Sequence, residues 1–369
     1  MKNIMKLRRI HFLWLIPLSF ILIFIAQKSD YFAEHIFALH IYKWLSQIIS
    51  LITNLFPFSI AELLLIALPV LITFILVRFI IKFVKDKNKL WYNLGYGLLN
   101  LACVVSVALF LFVILAGINY YRYSFSLYSN LVVRNSSIEE LYSLTEELAR
   151  DANHIRQMVV AEDEEGVFEL SSTIYELSDY VADAMSELGD EYPVLDGYYG
   201  APKPVFLSSL MSYTEITGVF FPYTMEANVN VDIPDYSIPS TMLHELAHLR
   251  GFMREDEANY IAYLAGVKSN NADINYSSTM LALIISGNAL YRENSDMYFE
   301  IRDLYSEEVL RDIRANSAYW QKYEDTVIST VSNKINDTYL KANNQTDGVK
   351  SYGRMVDLLL AKYRKDYGL

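Results

Sequence analysis

The sequence predicts an α+β protein that is mostly helical, with a membrane-embedded first third followed by an outer domain. In that domain a small β-sheet should come just before a short helix carrying His244-Glu245-Leu246-Ala247-His248. Three observations predict this. Of 369 residues, 53% are hydrophobic, and the apolar ones crowd into the first third. Beyond residue 120, helical periodicity dominates, interrupted by one alternating segment from Glu226 to Asp232. The third observation is the H-E-x-x-H spacing itself.

The membrane segments come first in the chain. Residues 10–26, 60–83 and 94–118 are each apolar enough to cross about 30 Å of hydrocarbon. They define a membrane anchor over residues 1–120, leaving 121–369 as the outer domain. No small-residue cleavage site follows the first span, so it should be retained. Lys2, Lys6, Arg8 and Arg9 precede that span, and Lys82, Lys85, Lys87 and Lys89 surround the turn between the other two. Basic loops stay in the cytoplasm, which places the N-terminus inside and the outer domain beyond the cell membrane. Residues 36–56 are apolar but contain His40, Lys43 and Gln47. An interfacial or re-entrant helix is expected there, because a fourth span would put the two basic regions on opposite sides. Glu62 and Arg78 read as an interfacial anchor and a snorkelling end of the second span.

Charge separates the two parts. Residues 1–119 hold 11 Lys and Arg against 4 Asp and Glu, whereas the remainder holds 20 against 39. An outer domain this acidic argues against nucleic acid as a partner and against close approach to anionic headgroups. The single cysteine, Cys103, falls inside the third span, so there is no disulfide framework. The spans, few in charge and without a repeated half, show no transport pathway.

In the outer domain, 137–160 and 169–188 have amphipathic helical periodicity with outward acidic residues. Residues 205–210 and 219–223 are β-rich. From 226 to 232, Ala227, Val229 and Val231 alternate with Asn228 and Asn230, as on a strand with one polar face. Helices are expected at 279–291, 297–316, 319–340 and 349–367.

In a helix, residues four apart share a face, so both imidazoles of the motif can reach one metal ion with Glu245 beside them. The alternative is a histidine pair on a solvated helix face. Context favours the metal. Ser237 to Thr241 offers a helix start with Pro239 in its first turn, and Gly251 stands where a left-handed residue would end it. Zinc requires a third protein ligand, with water in the fourth position of a catalytic site. His154 lies far upstream in a charged helix, so an acidic ligand is expected. Glu255 and Glu257 both qualify, at the acidic start of a second helix over 254–265.

Glu255-Asp256-Glu257-Ala258-Asn259 resembles the E-x-x-A-[D/N] segment that follows H-E-x-x-H in several gluzincin metallopeptidases. The resemblance implies a zincin-like outer domain with Zn2+ as cofactor and Glu255 as third ligand. It also implies close helix packing at Ala258 and an Asn259 that orients an imidazole. Six residues separate His248 from Glu255, fewer than in many gluzincins, which keeps Glu257 open as the alternative. In gluzincins an edge strand before the motif helix carries the substrate, which would make Asn228 and Asn230 substrate-binding; a polar outer face explains them equally well. The chain resembles more extensively the uncharacterised bacterial membrane proteins grouped as domain of unknown function 3810. That match runs through Pro57-Phe58-Ser59, Phe221-Pro222-Tyr223, Glu226 to Asn230, His244 to Ala265 and Ser351-Tyr352-Gly353.

The expected function is hydrolysis of peptide bonds in peptide or protein substrates outside the cytoplasm, by a metal-activated water with Glu245 as general base. Tyr223, Tyr260, Tyr276 and Arg354 are candidates for stabilising the oxyanion. The motif is flanked by polar residues and lies far from the last span, so soluble or surface-exposed targets are expected. Two other readings stand beside this one. One is a non-catalytic envelope scaffold or sensor, zinc-binding or metal-free; the other is a hydrolase of cell-wall amides.

Overall fold

The computed structural model describes residues 8–85, 89–324, 326–342 and 354–369. Lys2, Lys6, Lys87 and the run Ser351-Tyr352-Gly353 lie outside the described residues. Among the described residues, four helical rods are long and apolar enough to cross a membrane: Arg8–Lys28, Phe32–Thr53, Ile60–Lys85 and Trp91–Leu115. The first comprises a 3-10 run, Arg8–Trp14, and α1 (Leu15–Lys28). The second is π-helical over Phe32–Tyr42 and continues as α2 (Lys43–Thr53). Then come α3 (Ile60–Lys85) and α4 (Leu90–Leu115).

The pairing of these rods fixes their directions. Arg9 bonds Asn100, Ser106 bonds the Phe12 carbonyl and Gln27 bonds Tyr121, so α1 runs parallel to α4. Lys82 stands over the Tyr96 ring and Phe79 lies against Gly97, so α3 runs antiparallel to α4. Lys28, Ile60 and Leu115 therefore lie on one side.

Beyond α4, a 3-10 turn (Gly117–Tyr121) and α5 (Phe125–Tyr128) lead to α6 (Ile138–Arg156) and α7 (Ile174–Glu191). Ser137 with Glu140, and Thr173 with Glu176, form capping boxes at the starts of these two helices. This explains why the helix expected from residue 169 begins at Ile174. The sheet has three short strands, β1 (Lys203–Pro204), β2 (Gly218–Phe221) and β3 (Glu226–Val229), in the order β1-β3-β2. β3 pairs parallel with β1 and antiparallel with β2. Residues 205–210 are not a strand; from Ser208 they belong to α8 (Ser208–Tyr213).

Next are α9 (Ile238–Leu249), α10 (Glu255–Lys268) and α11 (Ala272–Glu293). Asn271 caps α11 and starts it seven residues before the expected position. The single helix expected over 297–316 is divided into α12 (Ser295–Arg302) and α13 (Glu307–Trp320), because Ser306 caps a new start. The last two are α14 (Val327–Ala342) and α15 (Met355–Tyr367). The core lies where α9, α10, α11 and α6 pack, and Leu246, Ala247, Ala258, Ala262 and Met280 are fully buried in it.

Hydrogen bonds cross the boundary expected at residue 120. Arg122 makes a two-pronged bond to Glu34 (3.0 and 2.7 Å), and Tyr42 donates to the carbonyls of His248 and Leu249. Glu226 accepts the Ile60 and Ala61 amides and the Lys203 ammonium. Glu62, expected as an interfacial anchor, accepts the amides of Phe206 and Leu207 and so fastens α3 to the segment before α8.

Candidate functional site

Pro239 occupies the first turn of α9, where a missing amide costs nothing, and Gly251 adopts φ +86° just beyond its end. Both were expected. The helix places His244 and His248 one turn apart, with ring centroids 4.5 Å apart and planes nearly perpendicular. Gly251 reverses the chain so that the first residue of α10, Glu255, returns to the same place. Its Oε2 lies 3.1 Å from His244 Nε2 and its Oε1 lies 3.6 Å from His248 Nε2.

One ligand atom from each of His244, His248 and Glu255 falls within 4.8 Å of the others, a group that could hold a metal ion. The imidazoles are oriented for that task. His248 Nδ1 is 2.7 Å from the Phe252 carbonyl, which can only accept, so this nitrogen carries the proton and Nε2 is left as a donor to metal. His244 Nδ1 is 2.7 Å from Asn259 Oδ1, which acts in the same way. Asn259 thus contacts the imidazole that the gluzincin resemblance implied it would orient.

Glu257 faces elsewhere. Its carboxylate accepts the Phe125 amide at 2.8 Å and both arms of Arg254 at 2.9 and 2.6 Å. As the alternative ligand it is excluded by position: a residue two further along α10 points about 200° around the helix from Glu255.

Glu245 is buried beside the cluster, and its Oε2 has no hydrogen-bond partner. Burial pushes its carboxyl up, against the pull of both histidines and the Phe220 amide. Burial also pushes the His248 imidazole down, but the Glu255 carboxylate, with help from Glu245, outweighs it and carries the group up to about 9. Glu255 is correspondingly held far below the usual carboxylate range despite its burial. Without metal, these shifts describe a proton standing where a cation would sit.

The cluster forms one wall of a cleft of about 500 Å³, whose other walls include Gly218, Val219, Phe220, Tyr120 and Leu281. Gly218 is required by space: a Cβ there would lie 2.5 Å from Glu245 Oε1 and 2.8 Å from Thr241 Cγ2. Gly218 and Tyr120 were not among the expected site residues. A glycine opening a β-rich run was the available signal for the first. Tyr120 carried none, being one of 29 tyrosines.

Two groups of expected site residues are corrected. Asn228 and Asn230 are not on a substrate-accepting edge. β3 is the central strand, Asn228 donates to the Val219 and Glu226 carbonyls, and Asn230 donates to Ser212 and the Ile216 carbonyl. Both faces of β3 are buried, so its alternation does not mark an exposed side. The oxyanion candidates also lie away from the cleft. Tyr223 donates to the Ala108 carbonyl in α4, Tyr276 donates to Asp312, and Tyr260 is packed against Phe125. Arg354 precedes α15 and acts on Asp256 and Asp357; none of the four lines the cleft.

Fold and site together define a membrane-associated, mostly helical protein whose residues beyond α4 present a His-His-Glu cluster in an open cleft. The chain matches the family described as protein of unknown function (DUF3810) over residues 37–360, and it belongs to that family. No curated protein and no solved structure matches it.

Proposed function

We propose that this chain is a membrane-anchored zinc metallopeptidase with its site outside the cytoplasm. The observation that carries the reading is the combination of three donors, His244, His248 and Glu255, with a fourth group, Glu245, that is buried beside them with an unpartnered oxygen. Among the described residues the cluster has three such ligands rather than four. This is the donor set of a catalytic zinc site and not of a closed structural one, which favours an enzyme over a scaffold.

The donor chemistry suits zinc: two neutral imidazoles fixed by acceptors at Nδ1, and one carboxylate. Zinc held there would supply an acidified water and a polarising charge for the substrate carbonyl. Glu245, buried beside the histidines with one unpartnered oxygen, would take a proton from that water and later give it to a leaving amine; burial, which raises its pKa, favours the protonated form that the second transfer needs. β2 pairs with β3 on one side only, and Gly218, Val219 and Phe220 face the cleft. It is therefore β2 that supports the edge-strand role, holding an extended substrate by backbone bonds.

The test uses the full-length protein in detergent. Zinc content is measured for wild type, His244→Ala, Glu255→Gln and Glu245→Gln. Near-equimolar zinc in wild type, loss in the first two variants and retention without activity in the third are expected. A folded wild type that takes up no zinc overturns the reading.

A further inference from the structure

The position of the cleft relative to the bilayer points to a substrate class. α1 and α4 run parallel and α3 antiparallel, so the end of α1, the start of α3 and the end of α4 mark a common outer surface. The rod Phe32–Thr53 starts and finishes at that surface. Glu34 is bound by Arg122, just beyond α4, while Thr53 donates to Thr224 and its carbonyl binds Lys203. Because Lys203 also grips Glu226, which caps α3, the second end of the rod sits where α3 begins. A helix of 22 residues would separate its ends by about 33 Å if it spanned, so this one lies along the surface. Its two faces agree. Tyr42, Ser46, Ser50 and Thr53 are buried toward the outer domain, and Ile41, Trp44, Ile48 and Leu55 are exposed in an apolar stripe.

The catalytic helix rests directly on this rod through the bond from Tyr42 to the His248 carbonyl. The cleft is equally low, since Tyr120 in its wall follows the last residue of α4 by five positions. β2 descends from it. The strand begins at Gly218 beside Glu245 and ends at Phe221, and two residues later the Tyr223 hydroxyl bonds the Ala108 carbonyl. Ala108 lies roughly 10 Å inside α4 from its outer end at 1.5 Å per residue. Phe206, 91% exposed, is held beside the first turn of α3 by Glu62 and extends the apolar rim.

A peptide strand added to β2 would thus lead from the bilayer beside α4 up to Glu245. We propose that the substrate is a membrane-anchored polypeptide, cut a few residues from where it leaves the outer leaflet. Gly218 to Phe221 covers about 10 Å at 3.3 Å per residue, so the scissile bond lies within about three to six residues of the surface. This inference rests on the peptidase reading and replaces the soluble targets expected from sequence.

Two measurements test it on the full-length protein in phosphatidylethanolamine–phosphatidylglycerol vesicles. The first needs no activity. In a Cys103→Ser background, a fluorophore at Val219→Cys should be strongly quenched by shallow nitroxide-labelled lipid, whereas one at Tyr175→Cys, exposed on the first turn of α7, should not. Equal, weak quenching at both overturns the placement. The second follows cleavage of a randomised ten-residue segment, either free or joined to a transmembrane helix, with Glu245→Gln as control. Anchored segments should be cut about a hundredfold faster, and a flexible spacer of about 30 residues should reduce this about tenfold. Glu245-dependent cleavage indifferent to anchor and spacer overturns the substrate class. With zinc bound and no segment cut, the peptidase reading fails, while the quenching result still decides where the cleft lies.

Discussion

Replacing Gly218 by alanine tests the closest approach in the site. The added Cβ would stand 2.5 Å from Glu245 Oε1, 2.8 Å from Glu245 Cγ and 2.8 Å from Thr241 Cγ2. Real Cβ contacts are longer, so either β2 moves away from α9 or Glu245 turns. Glu245 is buried among the two histidines and the Phe220 amide, and Thr241 is fixed by its bond to the Ser237 carbonyl. Neither can yield freely. Overpacking of this kind costs about 1–3 kcal/mol. For a chain of 369 residues that unfolds as one body, that should lower the melting temperature by about 1–4 °C, read by circular dichroism in detergent. The ligands are untouched, so zinc affinity should change little. Hydrolysis should fall about a hundredfold, the usual consequence of misplacing a catalytic group by 1 Å. A Gly218→Ala protein with wild-type melting and full activity would refute the argument that β2 and Glu245 are in contact.

Asn259→Ala removes the acceptor at His244 Nδ1 and should weaken zinc binding about 10–100-fold in a chelator competition, with the fold retained. Glu257→Gln should leave zinc stoichiometry unchanged but cost about 1–3 kcal/mol in denaturant unfolding, since Arg254 and the Phe125 amide lose the buried carboxylate they both bond, while Asp256 and Glu34 still act on the partly exposed guanidinium. The pH response of the metal-free protein follows from His248, raised from 6.5 to about 9. Its ion pair with Glu255 stabilises the fold fully below pH 6.5, and that contribution is lost as pH rises through about 9. Zinc must displace the same proton, so its affinity should rise about tenfold per pH unit across this window. Calorimetry at pH 7 in buffers of different ionisation enthalpy should detect release of about one proton per zinc.

The grouping of His244, His248 and Glu255 was legible because it is local. His244, Glu245, His248 and Glu255 lie on two consecutive helices whose start and stop signals, Pro239 and Gly251, stand in the sequence. What decided between Glu255 and Glu257 was the angle at which α10 leaves Gly251, and both residues satisfy the composition equally. The role of β3 was not legible. It lies between β1 and β2, and β1 is two residues long, its pairing with Asn228 fixed by the Lys203–Glu226 ion pair and not by local propensity. Asn228 and Asn230 consequently looked exposed by alternation and are consumed inside. Hydropathy alone admits a span over Phe32–Thr53, while the distribution of basic residues favours an interfacial or re-entrant helix over 36–56; the buried row Ser46, Ser50 and Thr53 becomes visible only once its contacts are known.

The bond network around Glu226, Lys203, Arg122 and Glu34 has a consequence for how this molecule can be handled and how it can change. A fragment beginning near residue 121 would leave Arg122 without its carboxylate, Glu226 without two amides and the end of α9 without Tyr42. Helices that look like a tether therefore contribute part of the interior of the head. The whole chain should unfold as one cooperative body, and its anchor could not be exchanged for an unrelated one without rebuilding the surface it supports.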